Sequence, residues 1–409
     1  MSAPIPWTCP FCPLLCDGFA VAVQAGGALA LQGSDCPRAT QALQRFAAPP
    51  HTASIDGVPA TLEAALDAAA ARLARSRQPL FAGLGTDIDG ARALYPLACA
   101  LGAITDAAGS DALLHTLRAL QDRGQFTTTL AEVRNRADLI VCVGGSPHEA
   151  LPEVWRRLGI GEALVAQREI AFLGAPADAA LAGVPALTTT SLGAGDDLFD
   201  SVALLAAAVA QRRAELPPAI AALAERLRAA RYAVLAFETA RLPAQGALLV
   251  ETLNQIVTTL NRTTRAGLLP FGGADGSASV NQVHAWLSGL PLRSRAGPLG
   301  LEHEPLRWGA ETLLASGDVD ALLWVASYGT EPPRPETSVP TVVLGGPGVA
   351  APARGVFIPV ATPGIGVAGH LFRTDGVVAL PLEALRDDGL PAVAEVARQL
   401  THRVKARPS

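Results

Sequence analysis

Four of the six cysteines fall within the first 36 residues, Cys9, Cys12, Cys16 and Cys36, in the spacing C-x2-C-x3-C-x19-C. Three thiolates within eight residues can converge on one inorganic group, and a fourth arriving after a hairpin completes the four corners of a 4Fe-4S cluster. Structural zinc more often draws its ligands from two separated C-x2-C knuckles, which this chain lacks. The spacing points first to iron and sulfide, with zinc or four unliganded thiols as the alternatives. Cys99, within LYPLACALGA, and Cys142, inside an apolar run, read as small core residues.

The other reactive residue types are scattered. His51, His115, His148, His284, His303, His370 and His402 form no H-x-H or H-E-x-x-H arrangement, which argues against a binuclear hydrolytic metal site. Ser146 and Ser277 lie in glycine-rich turns, and neither matches the G-x-S-x-G elbow of a serine hydrolase. Gly83-Leu84-Gly85 opens like a dinucleotide loop, but Ile88 stands where the third glycine belongs, so a tight strand-to-helix turn explains it equally well. Gly144-Gly145-Ser146-Pro147 has better context, since it follows a strand and precedes a predicted helix whose free N–H groups could receive an anion. An ordinary strand-to-helix turn is the alternative there. Asp196-Asp197 suits the start of a helix, where negative charge is favourable.

The elements that must hold these residues are read from apolar periodicity. Phe19–Val23 and Ala28–Gln32 read as strands joined at Gly26-Gly27, so the segment ending at Pro49-Pro50 is a small β module. Thr61–Ala74 has helical spacing and leads into the buried run Leu80–Gly83; a helix over Ile88–Leu101 and a short run Ala103–Thr105 follow. Further strands are predicted at Leu139–Val143, Glu169–Leu173, Ala233–Phe237, Ala321–Val325 and Thr341–Leu344. Helices are predicted over Glu149–Leu158, Asp196–Ala210, Ala219–Ala230 and Gln245–Asn261, and loops over 270–279, 329–340 and 345–354. Continuous apolar strands alternating with amphipathic helices specify an α/β, multi-domain fold of doubly wound, mostly parallel sheets. The expected organisation is a cysteine-containing β module over 1–50, an α/β domain from 51–125 with 276–409, and an inserted α/β domain over 126–275.

Composition narrows the class. Half of the 409 residues are hydrophobic, enough to bury a core and exclude disorder. All 32 basic residues but Lys405 are arginine, yet the net charge is −5 and charges of both signs are dispersed, so no nucleic-acid footprint exists. The longest apolar run, Val202 to Ala210, stops at Gln211-Arg212-Arg213, short of the roughly 18 residues that span a bilayer. MSAPIPWTCP lacks a basic region followed by an apolar one, so no secretory signal is read. No membrane association and a cytoplasmic location are expected.

Several blocks together resemble the B subunit of formylmethanofuran dehydrogenase, within the molybdopterin oxidoreductase superfamily. They are CPFCPLLCDGFAV with GSDCPRA, DLIVCVGGSPHEALP over 138–152, NRTTRAGLLPFGGADGSASVNQVHAWLSGLPLR over 261–293, GDVDALLWVAS over 317–327, and FIPVATPGIGVAGHLFRTDGV from Phe357. The resemblance covers most of the chain. It implies a molybdopterin-oxidoreductase-like fold without the C-terminal β domain that closes over the pterin.

In catalytic relatives a cysteine or selenocysteine bonds molybdenum or tungsten, assisted by a neighbouring histidine and a remote arginine. The matching stretch here, Ala103–His115, carries Asp111 and Ala112 where the thiolate and histidine belong, with His115 three residues off register. The arginine's turn corresponds to Phe271-Gly272-Gly273-Ala274-Asp275, with Gly272 at the basic position. A soft thiolate holds the metal and a cation stabilises developing negative charge, so losing both removes most of the redox mechanism.

The resemblance therefore implies a non-redox scaffold subunit of a formyltransferase/hydrolase complex. Such a complex releases formate from a formylated methanofuran-like carrier in tetrahydromethanopterin-linked formaldehyde oxidation. The implied partners are its hydrolase, formyltransferase and structural subunits, with a molybdenum or tungsten pterin absent and a 4Fe-4S cluster at Cys9, Cys12, Cys16 and Cys36. An active pterin-dependent formylmethanofuran or formate dehydrogenase component and a 4Fe-4S electron-transfer module are the competing readings.

Overall fold

The computed structural model describes residues 4–47, 52–329 and 333–407. Pro49-Pro50, His51 and positions 330–332 of the 329–340 loop lie outside the described residues. The chain divides into two compact units: 1–110 with 273–373 and 378–409, and 111–272 with 374–377. The cysteine module falls within the first unit, and the divisions lie at 110/111 and 272/273, against the expected 125/126 and 275/276.

Among the described residues the first unit is built on a nine-stranded sheet. Its centre is a parallel set in the order Ile104–Thr105, Pro79–Gly85, Ala321–Ala326, Thr341–Gly345 and Val356–Pro359. Antiparallel strands extend both edges, Ser294–Gly297 with Gly300–His303 on one side and Ser54–Ile55 with Val58–Pro59 on the other. The central strands are buried on both faces, which explains their unbroken apolar sequence. Phe81, Leu323, Val325 and Leu344 face the helices Leu62–Ala74, Ile88–Leu101 and Val393–Lys405. Leu80, Leu322, Trp324 and Val343 face the helix Ala310–Ser316. Each fully buried Leu or Val on these faces contributes about 1.5–3 kcal/mol.

Local rules set the ends of these elements. Thr61 caps Leu62–Ala74 by accepting from Ala64 N, and Asp87 caps Ile88–Leu101 by accepting from Gly90 N. Gly102 ends the latter helix in the left-handed region at φ 61°. The first unit also holds the three-stranded antiparallel sheet Ile5–Trp7, Phe19–Val23 and Leu29–Gln32. Its turn is at Gly26-Gly27, both with positive φ, as expected. Trp7 anchors this sheet, donating its indole N–H to Gly364 O at 2.8 Å.

The second unit carries a wholly parallel five-stranded sheet, in the order Leu187–Leu192, Arg168–Leu173, Leu139–Val143, Ala233–Glu238 and Ala266–Phe271. The helices Leu198–Val209, Pro218–Ala229 and Gly246–Leu260 cover one face through Val202, Leu205, Leu223, Leu227, Leu253 and Val257. Helix Ser110–Arg123 contributes Ala119 to the same core.

Two expectations need correction. The helix over Glu149–Leu158 is replaced by a 3-10 turn Pro147–Glu149 and a single-turn helix Val154–Arg157, because Pro152 cannot donate within a helix and disfavours helical backbone before it. The 270–279 loop is shorter than expected: a strand runs to Phe271, and the helix Ser277–Ser288 begins within the segment. No helix among the described residues is long and apolar enough to cross a membrane.

Candidate cofactor site

Cys9 and Cys16 close a loop at the mouth of the three-stranded sheet: Cys9 N donates to Cys16 O at 2.9 Å, and Leu15 N to Cys12 O at 3.2 Å. Leu15 sits at φ 44°, the left-handed conformation that lets so short a loop turn back. Cys36 is the residue before helix Pro37–Gln44, with Pro37 at the first helical position. Its carbonyl accepts from both Thr40 N and Thr40 Oγ1. Arg38 Nε donates to Phe11 O at 2.6 Å and so ties this helix to the cysteine loop.

All four cysteines are buried and none is in a disulfide. Burial pushes the Cys9 thiol well up, and Cys12, Cys16 and Cys36 all push it the same way, so the four share one electrostatic neighbourhood. Cys12 is also raised by burial, against opposing pulls from the Leu14 backbone N–H and Arg38. Thiols held this way stay protonated until a metal displaces the proton. Among the described residues no three His, Cys, Asp or Glu side chains are gathered to hold one metal ion. Four thiols are the donor set that a 4Fe-4S cluster takes at its corners, and a structural zinc draws on the same set. Cys142 is fully buried in its strand and Cys99 is half-buried on helix Ile88–Leu101.

In an open α/β sheet, ligands enter the crevice at the carboxyl ends of the two strands where the chain order reverses. In the first unit those strands are Pro79–Gly85 and Ala321–Ala326, and the chain's own turn at 273–276 packs against the end of the first of them. A Cβ on Gly276 (φ 83°) would stand 2.1 Å from Thr86 O, and one on Gly273 2.3 Å from the Ala278 Cβ. Asp275, at φ 52°, lies beside them; burial pushes its carboxyl up to about 6, against the pull of Arg38 and Arg45.

Tyr328 follows the second strand with its hydroxyl buried and without a hydrogen-bond partner. Burial raises its pKa well above the usual value, and Asp87 and Asp275 add to the shift. Arg45 Nη2 donates to Tyr328 O at 2.8 Å, and Ser327 Oγ to Gly85 O at 2.7 Å. Arg45, Ser327 and the strand-end carbonyls are thus bonded to one another here, while the Tyr328 hydroxyl is not. Gly83-Leu84-Gly85 is no phosphate loop: Gly83 lies within the strand, where a Cβ would be 2.7 Å from Val325 O, and the pairing is irregular between Trp324 and Ala326.

The second unit repeats the pattern at the ends of Leu139–Val143 and Ala233–Glu238. A Cβ on Gly145 would lie 2.4 Å from Arg241 Nη1, so the guanidinium covers the glycine turn. Arg241 is itself ion-paired with Glu149 and, at 3.6 Å, with Glu238. Ser146 Oγ, Trp155 Nε1 and Ala180 N all donate to Asp178, and His148 Nδ1 lies 3.2 Å from it. With only a three-residue 3-10 turn after Ser146, the helix N-terminus expected to receive an anion is missing. Ser277 Oγ donates to Ala274 O and serves the turn rather than a nucleophile's role.

The positions that the sequence resemblance would match to a metal ligand and an arginine are also placed. Asp111 is exposed in the first turn of Ser110–Arg123, and His115 is half-buried one turn later. Burial holds the His115 imidazole below its usual range, with Asp111 opposing and Arg118 adding to that shift. At Gly272 a Cβ would lie 2.4 Å from Thr239 Oγ1, whose hydroxyl donates to Phe271 O at 3.1 Å. An arginine side chain cannot leave the backbone there without displacing Thr239.

Sequence reasoning misses the buried network around Asp106. Its carboxylate accepts from Arg293 Nε at 3.2 Å and from Ala310 N at 2.8 Å, and Arg293 Nη2 also donates to Ser110 Oγ. The partners are separated by 187 residues or more, except for Ser110 beside Asp106, so no local pattern reveals it. Asp178 and Tyr328 escape a sequence reading too, each isolated from other reactive residue types along the chain.

No family model matches the chain. It is 32% identical over 359 residues to the B subunit of the formyltransferase/hydrolase complex Fhc of Methylorubrum extorquens, an alignment covering 86% of this chain and 97% of that one. Similarity to the B subunit of a tungsten-containing formylmethanofuran dehydrogenase of Methanocaldococcus jannaschii is 26% over 435 residues, 97% of both chains. Among solved structures, a chain of the formyltransferase/hydrolase complex FhcABCD of Methylorubrum extorquens, determined with methylofuran, superposes with a TM-score of 0.76 and 31% identity. That match covers 87% of this chain and 99% of the other. Together with the four-cysteine module, these likenesses lead to one conclusion: the chain belongs to the family of the B subunits of formyltransferase/hydrolase complexes.

Proposed function

We propose that this chain is the non-redox scaffold subunit of a formyltransferase/hydrolase complex, acting in the cytoplasm beside hydrolase, formyltransferase and structural subunits. In this reading formyl groups derived from tetrahydromethanopterin pass to a methanofuran-like carrier and are released as formate by the partner subunits. The observation that carries it is the turn 273–276, whose glycines pack against Thr86 and Ala278 in the crevice at the strand ends. The Gly272–Thr239 contact supports the same reading, since it leaves no room for a cation at that position. Six free cysteines suit a reducing compartment.

The test is purification of the native complex under anaerobic conditions, with identification of its subunits and quantification of tungsten, molybdenum and pterin. Partner subunits without stoichiometric metal or pterin are expected. A stoichiometric metal–pterin would overturn the assignment.

The shared, buried neighbourhood of the four thiols favours one addition. Cys9, Cys12, Cys16 and Cys36 are proposed to hold a 4Fe-4S cluster, which when bound supplies an inorganic cross-link between the cysteine loop and helix Pro37–Gln44. This chain's own residues prepare that link: Arg38 fastens the helix to Phe11 O, and Arg45 lies 5.4 Å from the Phe11 ring centre.

A further inference from the structure

In the second unit an open groove of about 880 Å3 is lined by the helices Leu198–Val209 and Gly246–Leu260. Ala203, Ala206, Ala207 and Ala210 line one side at helical spacing, so nothing longer than a methyl enters from there. On the other side Thr252, Thr258 and Thr259 donate their hydroxyls to Leu248, Asn254 and Gln255 carbonyls, each at 2.8 Å. With those hydrogens spent, the threonines offer chiefly methyls.

Three exposed arginines, Arg123, Arg212 and Arg262, line the same groove, and no Asp or Glu does. None of the three guanidiniums makes an ion pair or hydrogen bond among the described residues. Some arginines of this unit are ion-paired, such as Arg134 with Glu162 at 2.8 Å and Arg226 with Glu169, and what sets the groove apart is three arginines lining it without a carboxylate. A groove of the same volume in the first unit mixes Arg295 and Arg307 with Glu302, Glu304 and Asp318, and there Arg295 is paired with Glu302. Each unpaired arginine ends or closely follows a helix, whose C-terminal dipole carries about half a negative charge. Three such ends offset about half of the arginines' charge, and the groove stays positive.

We propose that this groove binds an acidic peptide segment of a partner subunit, with its carboxylates on the three guanidiniums and its small apolar groups on the methyl-lined sides. The volume lies within the roughly 300–1,000 Å3 of specific binding sites. A nucleic acid fits less well, because no aromatic side chain lines the groove to stack on bases and the chain is net acidic. The identity of the occupant as a partner segment rests on the assembly reading above; the chemistry of the groove does not.

The test uses the purified full chain and a fluorescein-labelled peptide of alternating glutamate and alanine, read by fluorescence anisotropy. Expected are binding that weakens with added salt, weaker binding of the glutamine–alanine counterpart, and a loss of about tenfold in the R123Q/R212Q/R262Q triple variant. Ala203→Trp, which fills the groove without changing charge, should weaken binding as well, with the thermal midpoint unchanged. Equal binding of the neutral peptide, or full binding by the triple variant, overturns the proposal. Arginine-dependent binding of a single-stranded oligonucleotide in preference to the peptide also overturns it. Peptide binding by the purified chain, together with a native purification from cells that recovers no partner subunits, would uphold the groove and sink the assembly reading, so the two failures are distinguishable.

Discussion

Gly272 and Thr239 are in such close approach that a Cβ added to the glycine would stand 2.4 Å from the threonine hydroxyl oxygen. That contact lies where the resemblance read from the sequence would put the remote arginine of redox-active relatives. Gly272→Ala is expected to lower stability by about 1–3 kcal/mol through overpacking, and Gly272→Arg by more. Thr239→Ala should recover part of the loss in the double variant. Urea unfolding of the single and double variants measures the coupling, and strictly additive effects would show that the contact is not what excludes a side chain.

The packed crevice of the first unit makes a second expectation. Gly276→Ala must place a methyl 2.1 Å from Thr86 O on a residue at φ 83°, so both sterics and backbone oppose it. The variant should lose about 3 kcal/mol or more, or fail to accumulate as folded protein. Gly289→Ala is the control, because its φ is 78° but no atom lies within 4 Å of the new Cβ. Near-equal losses in the two variants, in thermal unfolding, would mean that backbone strain alone matters and that the crevice has room.

Stability should vary with pH through two groups of opposite sign. Burial holds His284 down to about 4 from 6.5, so the unfolded chain binds the extra proton between those values, and stability present above about 6.5 is lost as pH falls toward 4. Burial holds Asp275 up to about 6 from 3.8, so the native state binds the extra proton, and stability present below about 4 is lost as pH rises toward 6. The two trends oppose each other over the same window. His284→Gln should leave a profile that falls with rising pH, and Asp275→Asn one that rises, in denaturant midpoints measured from pH 4 to 7. Identical slopes in both variants would contradict the placement of these groups.

The buried ion pair of Arg293 with Asp106 predicts asymmetric damage. Replacing Asp106 by Asn strands a guanidinium that is only 5% exposed and should cost about 3–5 kcal/mol. Changing both residues to apolar ones of similar volume should cost less than that single change. A double variant less stable than D106N would show that the hydrogen bonds to Ala310 N and Ser110 Oγ dominate over the unpaired charge.

Much of this architecture is readable from local pattern, because the forces that write it are local. The strand Leu139–Val143 and the helix Ile88–Leu101 have the bounds that apolar runs and capping residues assign them. The hairpin at Gly26-Gly27 follows from two glycines that can take positive φ. Pro152 is the available signal against a long helix at 149–158, and apolar periodicity masks it. Helix Ser277–Ser288 is hidden by the glycines in front of it, which serve a turn that packs against Thr86.

The candidate site divides in the same way. Four cysteines announce themselves by spacing, and Gly272 is visible as the absence of a cation. That Gly272 is shut by Thr239, Gly276 by Thr86 and Gly145 by Arg241 depends on contacts between residues 33 to 190 positions apart in sequence. Periodicity carries no record of such pairs.

The cluster proposal and the scaffold proposal meet in one measurement on the native complex, purified without oxygen. Iron, sulfide, tungsten, molybdenum and pterin are quantified per copy of this chain, and formate release is assayed alongside reduction of a viologen dye. Iron and sulfide near four each per chain, no stoichiometric metal–pterin, and formate release without dye reduction are expected. Cys9→Ser or Cys36→Ser should then remove the iron without abolishing formate release by the assembled complex. Stoichiometric tungsten or molybdenum with pterin, accompanied by dye reduction that depends on this chain, would contradict the account at its centre.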